Sequence, residues 1–219
     1  MVMKLWWREG WGSALIEAQA AEYGLALDLI ALDHPATGEQ AQADSAELNA
    51  LGQVPTMQLS DGSVMTESAA ITLFLAARQD SDLLVPRPQA PEYAAFLRWL
   101  IWLVANVYPC VSYYAHPERL VADPVEARGL QARLLERMEA QWRQVDAEAG
   151  TPWFLGERFS ALDIYLAVML HWGPGLAWAA EHVPRLYNIG AAAARRPAIA
   201  PVMARNFPDG LGAGLAAPA

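Results

Sequence analysis

The residues best suited to chemistry lie in the stretch NALGQVPTMQLSDGSVMTESAAI, positions 49 to 71. Pro55 stands directly before a strand-like run, TMQLS, although proline cannot donate to a ladder; it therefore marks an edge, a bulge or a cis turn. Read alone, it fits a trans proline at an edge strand. With a cis Val54–Pro55 bond, the Val54 amide and carbonyl would face outward and could pair with an extended, peptide-like ligand. Twelve and thirteen residues further on, Glu67 and Ser68 sit where strand gives way to helix. A helix start presents unpaired amides that favour a carboxylate, and an acidic side chain beside them accepts from an ammonium group. The pair suits a zwitterionic α-amino acid. Its plain alternative is an N-cap with an acidic first turn.

Other reactive residue types are sparse. Cys110 is the sole cysteine among 219 residues, which excludes a disulfide within the chain and a paired-thiol redox motif and fits a reducing cytoplasm. His116, His171 and His182 show no metal-ligand spacing, so no metal is expected. Ser160 and Asp163 have the spacing of a reciprocal helix-capping box, flanked by Phe159 and Ile164 as a hydrophobic staple, and their role reads as structural. With 54% apolar and 18% charged residues the chain can bury a sizeable core. A formal charge of −9 argues against nucleic acid and anionic membranes, both of which need clustered Lys and Arg. The expected partner is a small molecule or another protein. MVMKLWWREG has no apolar stretch ahead of its charges and no small-residue cleavage site, so a cytoplasmic location is expected. Phe96 to Tyr114 is nearly apolar throughout, but Arg98, Asn106, Pro109 and Ser112 interrupt it; it reads as a core helix or one shared with a subunit interface.

The elements that must position these residues follow from hydrophobic period. Met3–Trp7 reads as a strand, Ser13–Tyr23 as a helix ending at Gly24, Leu25–Leu32 as a second strand, and Asp44–Asn49 as a short helix. Thr56–Leu59 and Val64–Thr66 read as strands around an Asp61-Gly62 hairpin turn, and Glu67–Arg78 as a helix. The order is βαβ, loop helix, ββα. The proline-rich stretch 81–91 reads as a linker between an α/β domain at 1–80 and an all-helical domain at 92–219 whose Gly- and Ala-rich tail frays. Beyond the linker no strand signal is found.

The run GQVPTMQLSDG followed by TESAAI, the βαβ-ββα order and the helical second half together resemble the cytosolic glutathione transferase family, over nearly the whole chain. GERFSALD at 156–163 resembles the folding motif of that family's core helix. The resemblance implies a thioredoxin-like first domain with a cis proline at Pro55. It also implies backbone pairing of Val54 with the cysteinyl unit of glutathione, and Glu67 and Ser68 on the γ-glutamyl end. Glutathione would be the co-substrate and a homodimer the assembly.

Two departures bear on activity. The family activates the glutathione thiol with a Tyr, Ser or Cys near the first strand's end or the first helix's start; here WWREGWGSALI offers Ser13 as its sole hydroxyl, with Trp6 or Trp7 and Gly12 at the Tyr and Cys positions. Ser13 is thus the expected thiol-activating residue. At the glycine end, Leu25 to Ser63 holds no Lys or Arg and one histidine, His34, leaving Gln40 and Gln53 as uncharged contacts. Trp7, Trp11, Asn106, Tyr108 and Tyr114 are the expected lining of a pocket for a small hydrophobic electrophile. Three functions stay open: transfer of glutathione thiolate to that electrophile, a non-catalytic binding protein on the same fold, and a glutathione-dependent isomerase or dehalogenase.

Overall fold

The computed structural model describes residues 2–33 and 37–211; His34 and the expected frayed tail beyond Leu211 lie outside the described residues. The chain forms two compact units. The first comprises Met1–Val85 and the described residues from Ala194 on, the second Pro86–Ala193.

In the first unit, β1 (Met3–Trp7), β2 (Leu27–Ala31), β3 (Thr56–Gln58) and β4 (Val64–Met65) make one mixed sheet in the order β2-β1-β3-β4. β1 runs parallel to β2, with Trp7 beside Ala31, and antiparallel to β3, with Trp6 beside Thr56; β4 returns antiparallel with Met65 beside Met57. Alternating side chains of β1 point to opposite faces. Met3 and Leu5 accordingly join Ile16 of α1 (Ser13–Glu22) and Ile71 and Leu75 of α3 (Ser68–Arg78) in one core, while Trp6 meets Leu32, Ala41 and Val54 in another. This is the thioredoxin-like layering. α1 ends where Gly24 takes φ +67°, its amide bonded to the Ala21 carbonyl, a conformation that favours glycine.

α2 spans Gly38–Leu48, six residues earlier at its start than the expected Asp44–Asn49. Its buried face is Gly38, Ala41 and Ser45, residues too small or too polar to register as an apolar stripe.

The second unit is helical: α4 (Tyr93–Trp102), α5 (Tyr108–Ala115), α6 (Pro124–Glu148), α7 (Ala161–Met169), α8 (Leu176–His182) and α9 (Pro184–Ala194). The expected core helix through Phe96 to Tyr114 is interrupted by a π turn at Leu103–Val107. Pro109 has no N–H for the Ala105 carbonyl and its ring would press on that group, which a wider turn just before it relieves. By length and composition alone, Tyr93–Ala115 is long and apolar enough to cross a membrane, with 33% of its most apolar stretch buried. All nine residues of α7 are buried, and its start is the expected capping box: Leu162 N donates to Ser160 Oγ at 3.2 Å and Ser160 N to Asp163 Oδ2 at 2.7 Å. Asp163 Oδ1 also accepts from Phe154 N at 2.8 Å. Two short bridges, Trp153 with Gly156 and Leu155 with Arg158, are extended structure where none was expected.

The expected helical domain at 92–219 divides differently. α10 (Ala200–Asn206) packs on α1 and belongs with the first unit. Arg196 donates to Glu22 through Nε at 3.1 Å, Arg205 pairs with Glu17, and Asn206 Nδ2 donates to Glu17 Oε2 at 3.0 Å.

Candidate functional site

Strand order and direction bring four chain segments to one end of the sheet. β1 and β2 run toward that end and hand over to Arg8 and Leu32; β3 starts there, just after Val54 and Pro55; β4 finishes there, just before Glu67 and Ser68. Across the sheet the sequence of groups is therefore Leu32, Arg8, Val54, then Glu67 with Ser68. Adjacent strands lie about 4.8 Å apart, so this row spans roughly 14 Å.

At its β4 end, Glu67 holds φ +66°, a backbone conformation that a non-glycine side chain adopts only under strain. It occupies the N-cap position of α3 with no side-chain cap bond; Ser68 opens the helix and is buried. The N-terminal amides of α3 thus receive no side-chain cap, the arrangement that suits an incoming carboxylate. In the middle, Val54 and Pro55 are buried and the peptide between them is cis. The Gln53 carbonyl accepts from Thr56 Oγ1 at 2.8 Å and Asn49 Nδ2 at 3.1 Å, which pins the turn.

At the other end lies a cleft of about 210 Å³ lined by Arg8, Trp11, Leu32, Gln42, Ser45, Gly52 and Val54. Arg8 supplies the charge. Its guanidinium carbon lies 4.7 Å from the centre of the Trp11 ring, and its Nε is 2.8 Å from Asp33 Oδ1. Ser45 is 3% exposed, and its hydroxyl has no hydrogen-bond partner. Gln42 donates to the Leu32 carbonyl at 3.0 Å.

Several expected residues stand elsewhere. Ser13 is fully buried, its single hydroxyl proton donated to the Arg8 carbonyl at 3.2 Å while its oxygen accepts from Arg8 N at 3.1 Å. In this arrangement the Ser13 hydroxyl holds the loop that carries Arg8, with its proton donated to backbone. Gln40 is exposed and donates to Asp44 at 2.6 Å. It lies about 200° around α2 from Gln42, which is why Gln42 and Ser45 line the cleft and Gln40 does not. Gln53 is exposed and its neighbours Gly52 and Val54 form the lining.

The expected electrophile-pocket residues fall in both units. Trp7 packs on the Met3 and Leu5 core, with the Arg205 guanidinium 5.8 Å from its ring, and Trp11 covers Arg8. In the second unit Asn106 donates to the Trp102 carbonyl within the π turn, Tyr108 stacks on Trp172 at 5.2 Å, and the Tyr114 ring lies against Gly173. Among the described residues, no three His, Cys, Asp or Glu side chains gather closely enough to hold a metal. Arg8 and Ser45 carry no local sequence sign of a shared site, because only the fold brings the loop after β1 and the inner face of α2 to one cleft.

Residues 19–78 match the family "Glutathione S-transferase, N-terminal domain", and residues 126–172 match "Glutathione S-transferase, C-terminal domain". The chain is 32% identical over 209 residues, 94% of its length and 98% of the relative's, to the "Uncharacterized GST-like protein YncG" of Escherichia coli strain K12. The chain belongs to the glutathione S-transferase family. Glutathione S-transferase GstA of Escherichia coli O157:H7 is 28% identical over 78% of this chain and 82% of its own. In fold, this family member is similar to a glutathione transferase homologue from Sulfitobacter solved with bound glutathione, with a TM-score of 0.78, 24% identity and coverage of 92% of this chain and 96% of that one.

Proposed function

We propose that the chain binds glutathione along the row from α3 to the Arg8 cleft and transfers its thiolate to a small hydrophobic electrophile. The observation that carries this reading is the order of groups along the sheet end: an acidic side chain with uncapped helix amides, then the turn at Val54 and Pro55, then a cation. Glutathione carries an amino acid head at one end, a cysteinyl unit in the middle and a carboxylate at the other. Three extended residues span about 10 Å before their terminal groups are counted, which matches a row of roughly 14 Å. In this pose Glu67 takes the ammonium and the α3 amides the α-carboxylate; Arg8, with the Ser45 hydroxyl, takes the far carboxylate. The thiol then lies near the start of α1, whose dipole favours a thiolate.

A non-catalytic binding role is the second reading, favoured by one observation: the Ser13 proton is committed to the Arg8 carbonyl, leaving the helix terminus alone to activate sulfur. Titration calorimetry with glutathione, followed by conjugation assays across aromatic and alkyl halides, separates the two. Binding with conjugation supports transfer; binding without it supports the second reading; absence of binding removes both. A homodimer and a cytoplasmic site of action belong to the same proposal, the former supported by Ile101, 49% exposed on the largely apolar α4. Sedimentation velocity at micromolar concentration tests the assembly.

A further inference from the structure

We infer that Asn206, at the end of the C-terminal helix α10, is a positioning residue for the Arg8 cleft, acting through the loop that joins β1 to α1. The inference rests on the glutathione-binding reading above for its consequence, and on geometry for its mechanism. Asn206 is 3% exposed and stands 196 residues from Gly10, yet its Oδ1 accepts the Gly10 amide at 3.2 Å. Gly10 lies between Arg8 and Trp11, both of which line the cleft.

The orientation of the Asn206 amide follows from Glu17. Glu17 is buried in the middle of α1, and a carboxylate paired with Arg205 is an acceptor only. The Asn206 side chain must therefore turn its NH₂ group toward Glu17, where it donates to Oε2 at 3.0 Å, with a second bond to the Val202 carbonyl at 3.0 Å. That leaves Oδ1 for the Gly10 N–H. The loop itself leans on α10: Gly10 takes φ +71°, and a Cβ built there would meet the Asn206 carbonyl at 3.4 Å and the Phe207 ring at 3.6 Å. Ser13 holds the same loop at Arg8 from the α1 side. The guanidinium that faces the cleft is thus hung between two fixed points, one near in sequence and one at the far end of the chain. Removing the far one lets Gly10 and Trp11 move and takes Arg8 out of register with Val54.

The test compares Asn206→Ala with Val202→Ala, which thins the packing of α10 but keeps every Asn206 bond. Two quantities are read in each: hydrogen exchange of the Gly10 amide relative to the interior amides of α1, and glutathione affinity by calorimetry. Asn206→Ala is expected to speed relative Gly10 exchange about tenfold and to weaken glutathione about five- to tenfold, as loss of one buried hydrogen bond implies, while Val202→Ala leaves both ratios near wild type despite a lower Tm. Should Asn206→Ala fail to fold, Asn206→Ser, too short to bridge Gly10 and Glu17, is read in the same way. Unchanged Gly10 exchange in the Asn206 variant, or equal changes in both variants, would overturn the inference. If the wild-type protein does not bind glutathione, the proposed function fails, and Gly10 exchange alone decides whether Asn206 holds the loop.

Discussion

Arg8 and Ser13 meet on one loop but carry different tasks, and each has its own signature. Arg8→Ala removes a charged partner from the cleft, so glutathione affinity should fall about ten- to a hundredfold, the worth of a hydrogen bond to a charged group, while the pKa of the bound thiol moves little. Calorimetry reads the first and thiolate absorbance against pH the second; a raised thiol pKa with unchanged affinity would place the guanidinium on sulfur instead. Ser13→Ala leaves the half-buried Arg8 N–H without its partner and should cost about 1 kcal/mol of stability in urea denaturation, with no effect on the bound thiol's pKa beyond that of the loosened loop. Legibility at this scale followed sequence distance. Pro55 before a strand and Glu67-Ser68 before a helix are local signs, legible from neighbouring residues alone. Arg8 was visible as a residue but not as a site, because its neighbours Leu32 and Ser45 reach it only through the β1–β2 pairing.

Among the elements, α7 carries the clearest titration. Burial pushes the Asp163 carboxyl up to about 6, opposed by the bonds it accepts from Phe154 N, Ser160 N and the Ser160 hydroxyl. A carboxyl that holds its proton more tightly when folded than the ordinary 3.8 favours the folded state most below pH 3.8, and the advantage fades as pH rises through 6. The contribution of this group should therefore decline between pH 4 and 6, seen as a drift in the urea midpoint. Asp163→Asn should abolish the drift while lowering stability by about 1–3 kcal/mol, because an amide offers one acceptor where the carboxylate meets two backbone donors. This box was readable in full, since Ser160 and Asp163 are three residues apart. The start of α2 was not, because helix periodicity is read from bulky apolar residues and its inward face is Gly38, Ala41 and Ser45. The π turn in Tyr93–Ala115 is also invisible to periodicity, although Pro109 marks the place where a straight helix would lose a bond.

For the whole molecule, composition continues helical to the last described helix, and only the long-range Glu17, Arg205 and Asn206 cluster assigns α10 to the first unit. A chain ending at Ile199 lacks that cluster's partners and uncovers the face of α1 on which α10 packs, so its first unit loses stability. Its first unit should unfold at distinctly lower urea than the second, seen as a split transition by circular dichroism and tryptophan fluorescence. A single transition at the wild-type midpoint would show that α10 is dispensable. The same layout bears on how the protein is made. Synthesis delivers the first 85 residues early, but the helix that pairs with Glu17 and steadies Gly10 emerges only after the second unit. The face of α1 that α10 covers must wait through the 108 residues of the second unit, Pro86–Ala193. At about 5–20 residues per second that wait lasts on the order of ten seconds, during which the buried Glu17 carboxylate has neither Arg205 nor Asn206 beside it.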